Sequence, residues 1–186
     1  MPKPRSRNTS LPTKRNDAAD RGRELYIVRH AIAAERGREW PDDDLRPLTD
    51  RGIARFEKAV AGLSNLKLAV DEVLTSPLVR ARQTADLLAS GLEDGPPVQV
   101  LETLAPGHEP AHVVEAVARL ARGRRVALVG HEPGLGELAA FLIGTRRAIA
   151  FKKGGVCRID LESGVARSSG ALVWFLSPKI MRSLAE

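Results

Sequence analysis

Two histidines in this sequence directly follow apolar runs. Arg29-His30-Ala31 follows Glu24-Leu25-Tyr26-Ile27-Val28, and Gly130-His131-Glu132-Pro133 follows Arg125-Val126-Ala127-Leu128-Val129. A neutral imidazole can act as a nucleophile at pH 7, and an arginine fork grips a phosphate through two hydrogen bonds. A second arginine, Arg80, lies within Ser76-Pro77-Leu78-Val79-Arg80-Ala81-Arg82-Gln83-Thr84, near the start of an expected helix. A cation near the positive end of a helix dipole is mildly unfavourable unless an anion meets it. Taken singly, these features also read as ordinary surface chemistry: a basic pair ending a strand, an exposed arginine opening a helix. Two metal readings are weaker. Asp42, Asp43 and Asp44 are consecutive, whereas Ca²⁺ loops take ligands from alternate positions. His108 and His112 have i, i+4 spacing without a third ligand in view, and read as surface histidines.

The elements that must position these residues follow from periodicity. Short apolar runs predict strands over residues 24–28, 71–75, 98–104, 125–130, 155–161 and 171–176. The last two form an antiparallel pair turning near Glu162-Ser163-Gly164. Residues 31–49 are rich in proline and acids and read as a loop. Thr49 or Asp50 caps a helix with Ile53, Phe56, Val60 and Leu63 on one face. Ser76 caps the next, with Pro77 in its first turn and Leu78, Ala81, Ala85 and Leu88 inward. A third helix covers 109–121, with Val113, Val117 and Leu120 inward, and a fourth runs from near Pro133 to about Ile143. The last ten residues read as a short helix or a loose end. Alternating strands and helices require a mostly parallel sheet covered on both faces, a three-layer α-β-α sandwich. Its parallel strands would bring His30 and His131 to one edge, where such sheets hold their ligands.

The 186 residues are 43% hydrophobic and 28% charged, ordinary for one globular domain. No apolar run approaches the roughly 20 residues that span a bilayer. The basic N-terminus lacks the apolar segment of a secretory signal. Cys157 is the only cysteine, which excludes an internal disulfide and a multi-cysteine metal site and fits a cytoplasmic setting. The net charge of +6 is unevenly spread: residues 1–23 carry seven basic and two acidic side chains, residues 24–186 carry 22 and 21. Residues 1–23 are therefore expected to be a basic, disordered tail ahead of a single domain over 24–186. The tail reads as a solvated leader, with anchoring to nucleic acid or an anionic surface as the alternative. A nucleic-acid role is not expected for the domain itself.

Arg29-His30, the 76–84 segment and Gly130-His131, in this order, resemble the histidine phosphatase superfamily. Arg46-Pro47-Leu48-Thr49, Gly130-His131-Glu132-Pro133 and the short chain are similar to its SixA-like phosphohistidine phosphatase branch. The likeness spans about residues 24–178. Ala31 departs from the glycine found there in many members. The resemblance implies a phosphoglycerate mutase-like α/β fold and a phosphatase working through a covalent phosphohistidine. In it, His30 is the nucleophile, Arg29 and Arg80 clamp the phosphate, and His131 is a further donor. It also places a carboxylate after the third strand, where Glu102 is the positional match for a general acid; as a bare residue, Glu102 is equally well read as a solvated side chain. Arginines and histidine supply positive charge, so no metal and no cofactor are expected. The expected substrate is phosphohistidine in a protein, with small phosphate esters and a non-catalytic phosphate-binding module as alternatives. The sequence does not specify an oligomeric state.

Overall fold

The computed structural model describes residues 22–162 and 164–186. Up to residue 21 the expected tail lies outside the described residues, as does Ser163 in the expected turn. Among the described residues, six strands form one sheet in the order β3-β2-β4-β1-β5-β6. They are β1 (Arg23–Arg29), β2 (Glu72–Thr75), β3 (Val98–Val100), β4 (Arg125–Gly130), β5 (Val156–Leu161) and β6 (Gly170–Leu176). β3, β2, β4 and β1 run parallel, while β5 and β6 extend the sheet antiparallel from β1. The sheet is therefore the expected mostly parallel one with an antiparallel flank.

Among the described residues, five α-helices cover it: α1 (Asp50–Asn65), α2 (Val79–Ser90), α3 (Pro110–Leu120), α4 (Gly134–Ile143) and α5 (Pro178–Ser183). The period-two alternation of β1 explains the two cores. Leu25 and Ile27 pack with α3 and α4, whereas Tyr26 and Val28 pack with α1, α2 and Met181 of α5. Chain direction accounts for the division. From β1 through β2 to β3 the chain moves one way across the sheet, then returns to β4, and right-handed crossovers put the returning helix on the opposite face. That reversal leaves the C-terminal ends of β1, β2 and β4 side by side, where open α/β sheets form their crevice.

Several expectations change in detail. β1 begins at Arg23, whose Cα pairs with Leu161 on β5. Ser76 does not cap α2: the helix starts at Val79 with Leu78 at its cap, and the Ser76 hydroxyl lies 2.9 Å from His131 Nε2. The strand expected over 98–104 is only Val98–Val100, followed by a 3-10 turn at Glu102–Leu104; this edge strand has a single neighbour, β2. Leu120 is 44% exposed, since α3 ends there and the chain leaves the sheet face for β4. Pro110 opens α3, so His108 precedes the helix and shares no helical face with His112. The C-terminal residues form α5, capped by the Ser177 hydroxyl, rather than a loose end. At Gly52, a Cβ would collide with the carbonyl of Ile32. Glycine there lets α1 close onto the segment that follows His30.

Candidate active site

The backbone first brings the strand ends together. The His30 N–H donates to the Gly130 carbonyl at 3.0 Å and the Ser76 N–H to the Val129 carbonyl at 2.9 Å. His30, from the end of β1, and His131, from the end of β4, then face each other with ring centroids 5.1 Å apart. Each is 6% exposed. Arg80, in the first turn of α2, is 3% exposed despite its charge. Arg29 completes the group at the last position of β1.

His30 Nδ1 lies 2.7 Å from the Ala31 carbonyl. A carbonyl only accepts, so Nδ1 carries the proton and Nε2 keeps its lone pair. Burial, followed by the charges of Arg80, Arg29 and Lys153, outweighs that hydrogen bond and lowers the His30 pKa to about 4. His131 falls to about 3 through burial, then through His30 and Arg80. Its Nε2 is 2.9 Å from Ser76 Oγ, and that oxygen already accepts the Leu78 N–H at 3.3 Å. The Ser76 hydroxyl is thus placed to donate to Nε2, which would leave a proton on His131 Nδ1.

Both imidazoles should therefore stay neutral well below pH 6. In NMR titrations their midpoints should fall near 4 and 3; midpoints near the ordinary 6.5 would refute this environment. The linkage has a definite sign. Below about pH 6.5, down to about 4 for His30 and about 3 for His131, the unfolded chain binds imidazole protons that the folded chain refuses. Stability from these two groups is therefore present above pH 6.5 and is lost as pH falls through this window.

The arginines are each held at one end. Arg29 Nη1 donates to the Phe151 carbonyl at 2.5 Å, and the Phe151 N–H donates to Glu132 at 2.6 Å. Arg80 Nη1 and Nη2 donate to the Asp43 carbonyl and carboxylate at 2.6 and 2.9 Å. Arg29 Nε, Arg80 Nε and His131 Nδ1 are buried without a partner among the described residues. These three atoms come from the end of β1, the first turn of α2 and the end of β4, and buried donors without a partner are groups that a phosphoryl oxygen can satisfy.

Four contributing residues were not singled out as site residues by the sequence. Asp43, the middle of the three consecutive aspartates, receives Arg36, Arg46 and Arg80. Burial pushes its carboxyl up, but the Arg36 hydrogen bond and the Arg80 and Arg46 charges prevail and hold its pKa at about 2. Ser76 orients His131. Thr84 Oγ1 accepts the Ala31 N–H at 3.0 Å and donates to the Arg80 carbonyl at 2.6 Å, tying α2 to the turn after His30. Gln83 accepts the Leu48 N–H at 2.7 Å, joining the 46–49 and 76–84 segments. Ala31 avoids positive φ, so this turn needs no glycine. Glu102 is exposed and opens the 3-10 turn after β3. It does not line the cavity of about 240 Å³ beside His131, whose wall begins at Thr103 and includes His108, Glu109 and Glu137. Among the described residues, no group of three or more His, Cys, Asp or Glu side chains could hold a metal.

Comparison with known proteins places the chain in a family. Residues 25–106 match the family model of the histidine phosphatase superfamily, branch 1. An uncharacterized protein from Picosynechococcus sp. is 41% identical, over 84% of this chain and 97% of its own length. The phosphohistidine phosphatase SixA of Escherichia coli K12 is 28% identical, over 83% of this chain and 94% of its own. A solved structure of the protein histidine phosphatase SixA with tungstate superposes with a TM-score of 0.74 at 27% identity, covering 85% of this chain and 99% of that one. The chain belongs to the histidine phosphatase superfamily, in its SixA-like branch. Its enzyme class is accordingly that of a superfamily phosphatase. Among the described residues, no helix is long and apolar enough to cross a membrane.

Proposed function

We propose that this protein removes phosphate from phosphohistidine in proteins through a covalent phosphohistidine at His30, without a metal. The observation that carries this reading is the pairing of a His30 Nε2 lone pair with three buried, unpartnered donors. His30 Nε2 attacks phosphorus in line, forming an N–P bond as the bond to the leaving group breaks. Arg29, Arg80 and His131 Nδ1 hold the equatorial oxygens. Water then attacks phospho-His30, releasing inorganic phosphate and restoring the neutral imidazole. A substrate phosphoimidazole protonated on its distal nitrogen departs as neutral imidazole, so an exposed Glu102 is no obstacle. An alkoxide leaving group would need a proton, which is the role we assign to Glu102 for esters. The similarity to SixA of Escherichia coli supports the phosphohistidine substrate. The lone, buried Cys157 is compatible with a cytoplasmic location.

A substrate panel tests the reading. kcat/KM on a phosphohistidine protein should exceed that on small phosphate esters by at least about 10²-fold and be unchanged by EDTA. Glu102→Gln should lower only the ester rates, by roughly 10²-fold, as expected for a lost general acid. Higher kcat/KM on an ester would reverse the substrate assignment. Phosphate binding without turnover of any substrate would leave only a phosphate-binding module.

A further inference from the structure

On the α1 side of the sheet edge lies a second cavity, of about 480 Å³. None of Arg29, His30, Arg80, Glu102 or His131 lines it. Arg55 from α1, Lys152 and Lys153 from the turn before β5, and Lys179 and Arg182 from α5 line it, with no carboxylate among the described residues that line it. The concentration is local, since residues 24–186 carry 22 basic and 21 acidic side chains. Among the described residues, none of the five takes part in an ion pair. Arg55 and Arg182 are half-buried. Burial, then the charge of Arg55, disfavours the protonated form of Arg182. Phe56, Ile32 and Pro178 contribute apolar wall. Like charges gathered against an apolar surface repel one another, and an anion would relieve that repulsion.

We propose that this cleft binds a small organic polyanion: a compound with two or more phosphate groups on an apolar body, the phosphates on Arg55, Arg182 and the lysines. The volume lies within the range of small-molecule sites, and planar guanidinium forks suit phosphate oxygens. The cleft adjoins the phosphatase centre. Gly154, in its wall, donates its N–H to the Arg29 and His30 carbonyls at 3.0 Å each. The site does not depend on His30 being a nucleophile.

Calorimetric titration with a non-hydrolysable ATP analogue, adenosine imidotriphosphate, at about 0.15 M ionic strength and without metal, tests the site. Wild type and His30→Ala should bind one equivalent with equal affinity. AMP should bind at least tenfold more weakly, and so should the analogue to an Arg55→Ala/Arg182→Ala variant. Lys152→Glu/Lys153→Glu, on the exposed turn, should weaken binding similarly and guards against a folding defect in the arginine variant. Absence of binding to the wild type would overturn the proposal. So would binding that both charge variants retain, or that is lost in His30→Ala, since the analogue would then sit elsewhere or in the phosphatase centre.

Discussion

Replacing His30 with alanine should lower kcat by roughly 10⁴-fold or more, as removal of a covalent nucleophile does elsewhere. The effect should not arise from unfolding. His30 is a buried polar side chain, but the strand that carries it is anchored by Leu25, Ile27 and Val28, each fully buried. Its backbone N–H bond to Gly130 survives truncation of the ring. Circular dichroism and the thermal midpoint should therefore show a folded variant. Quenched wild type should carry acid-labile, alkali-stable phosphate that the variant lacks. A His30→Ala protein with substantial turnover, or a label that persists on it, would move the nucleophile elsewhere.

The second large effect is expected at Arg80. Lysine there keeps the positive charge but loses the planar fork, which in this structure engages Asp43 through both Nη atoms and leaves Nε buried without a partner among the described residues. A lysine ammonium is a point donor and cannot hold Asp43 and a phosphoryl oxygen in the same geometry. Arg80→Lys should therefore lower kcat/KM by about 10²–10³-fold, the scale of losing one oriented donor to the transition state. If the donor acts chiefly in the transition state, kcat should fall with little change in KM. A lysine variant with wild-type kcat/KM would show that Arg80 serves only to hold Asp43. The two substitutions thus separate the attacking atom from the electrostatic frame around it.

Much of this site is legible in the chain itself because each part has a local cause. β1 and β4 are apolar runs of strand length, and an alternating β/α order forces parallel strands whose like ends coincide. That is why His30 and His131 can be placed together before any coordinates are known. Arg80 follows from its position near the start of a helix. The proposed acid is less legible. A single exposed carboxylate such as Glu102 has no periodicity or spacing to mark it, and its reach depends on how a short edge strand and a 3-10 turn are laid down. Ser76 shows the same limit from the other side. A serine before a proline at a helix start reads as a cap, whereas here its hydroxyl meets His131, 55 residues away.

By itself, then, the sequence determined the order of elements, the two-faced sheet, and the positions of Arg29, His30, Arg80 and His131 at its C-terminal edge. Hydrophobic periodicity and crossover handedness are properties of the chain and need no further information. Only the tertiary structure decided what surrounds those four residues. It brought Asp43 out of a loop onto three arginines, fixed the His30 proton on Nδ1 through a neighbouring carbonyl, and left three buried donors open. It also gathered five cations from α1, a turn and α5 around a second cleft. Asp43 meets Arg80 across 37 residues, and the five cations come from three separate segments; no local pattern encodes those contacts. They exist because packing the two cores brings those segments together and fixes which polar groups lose access to water.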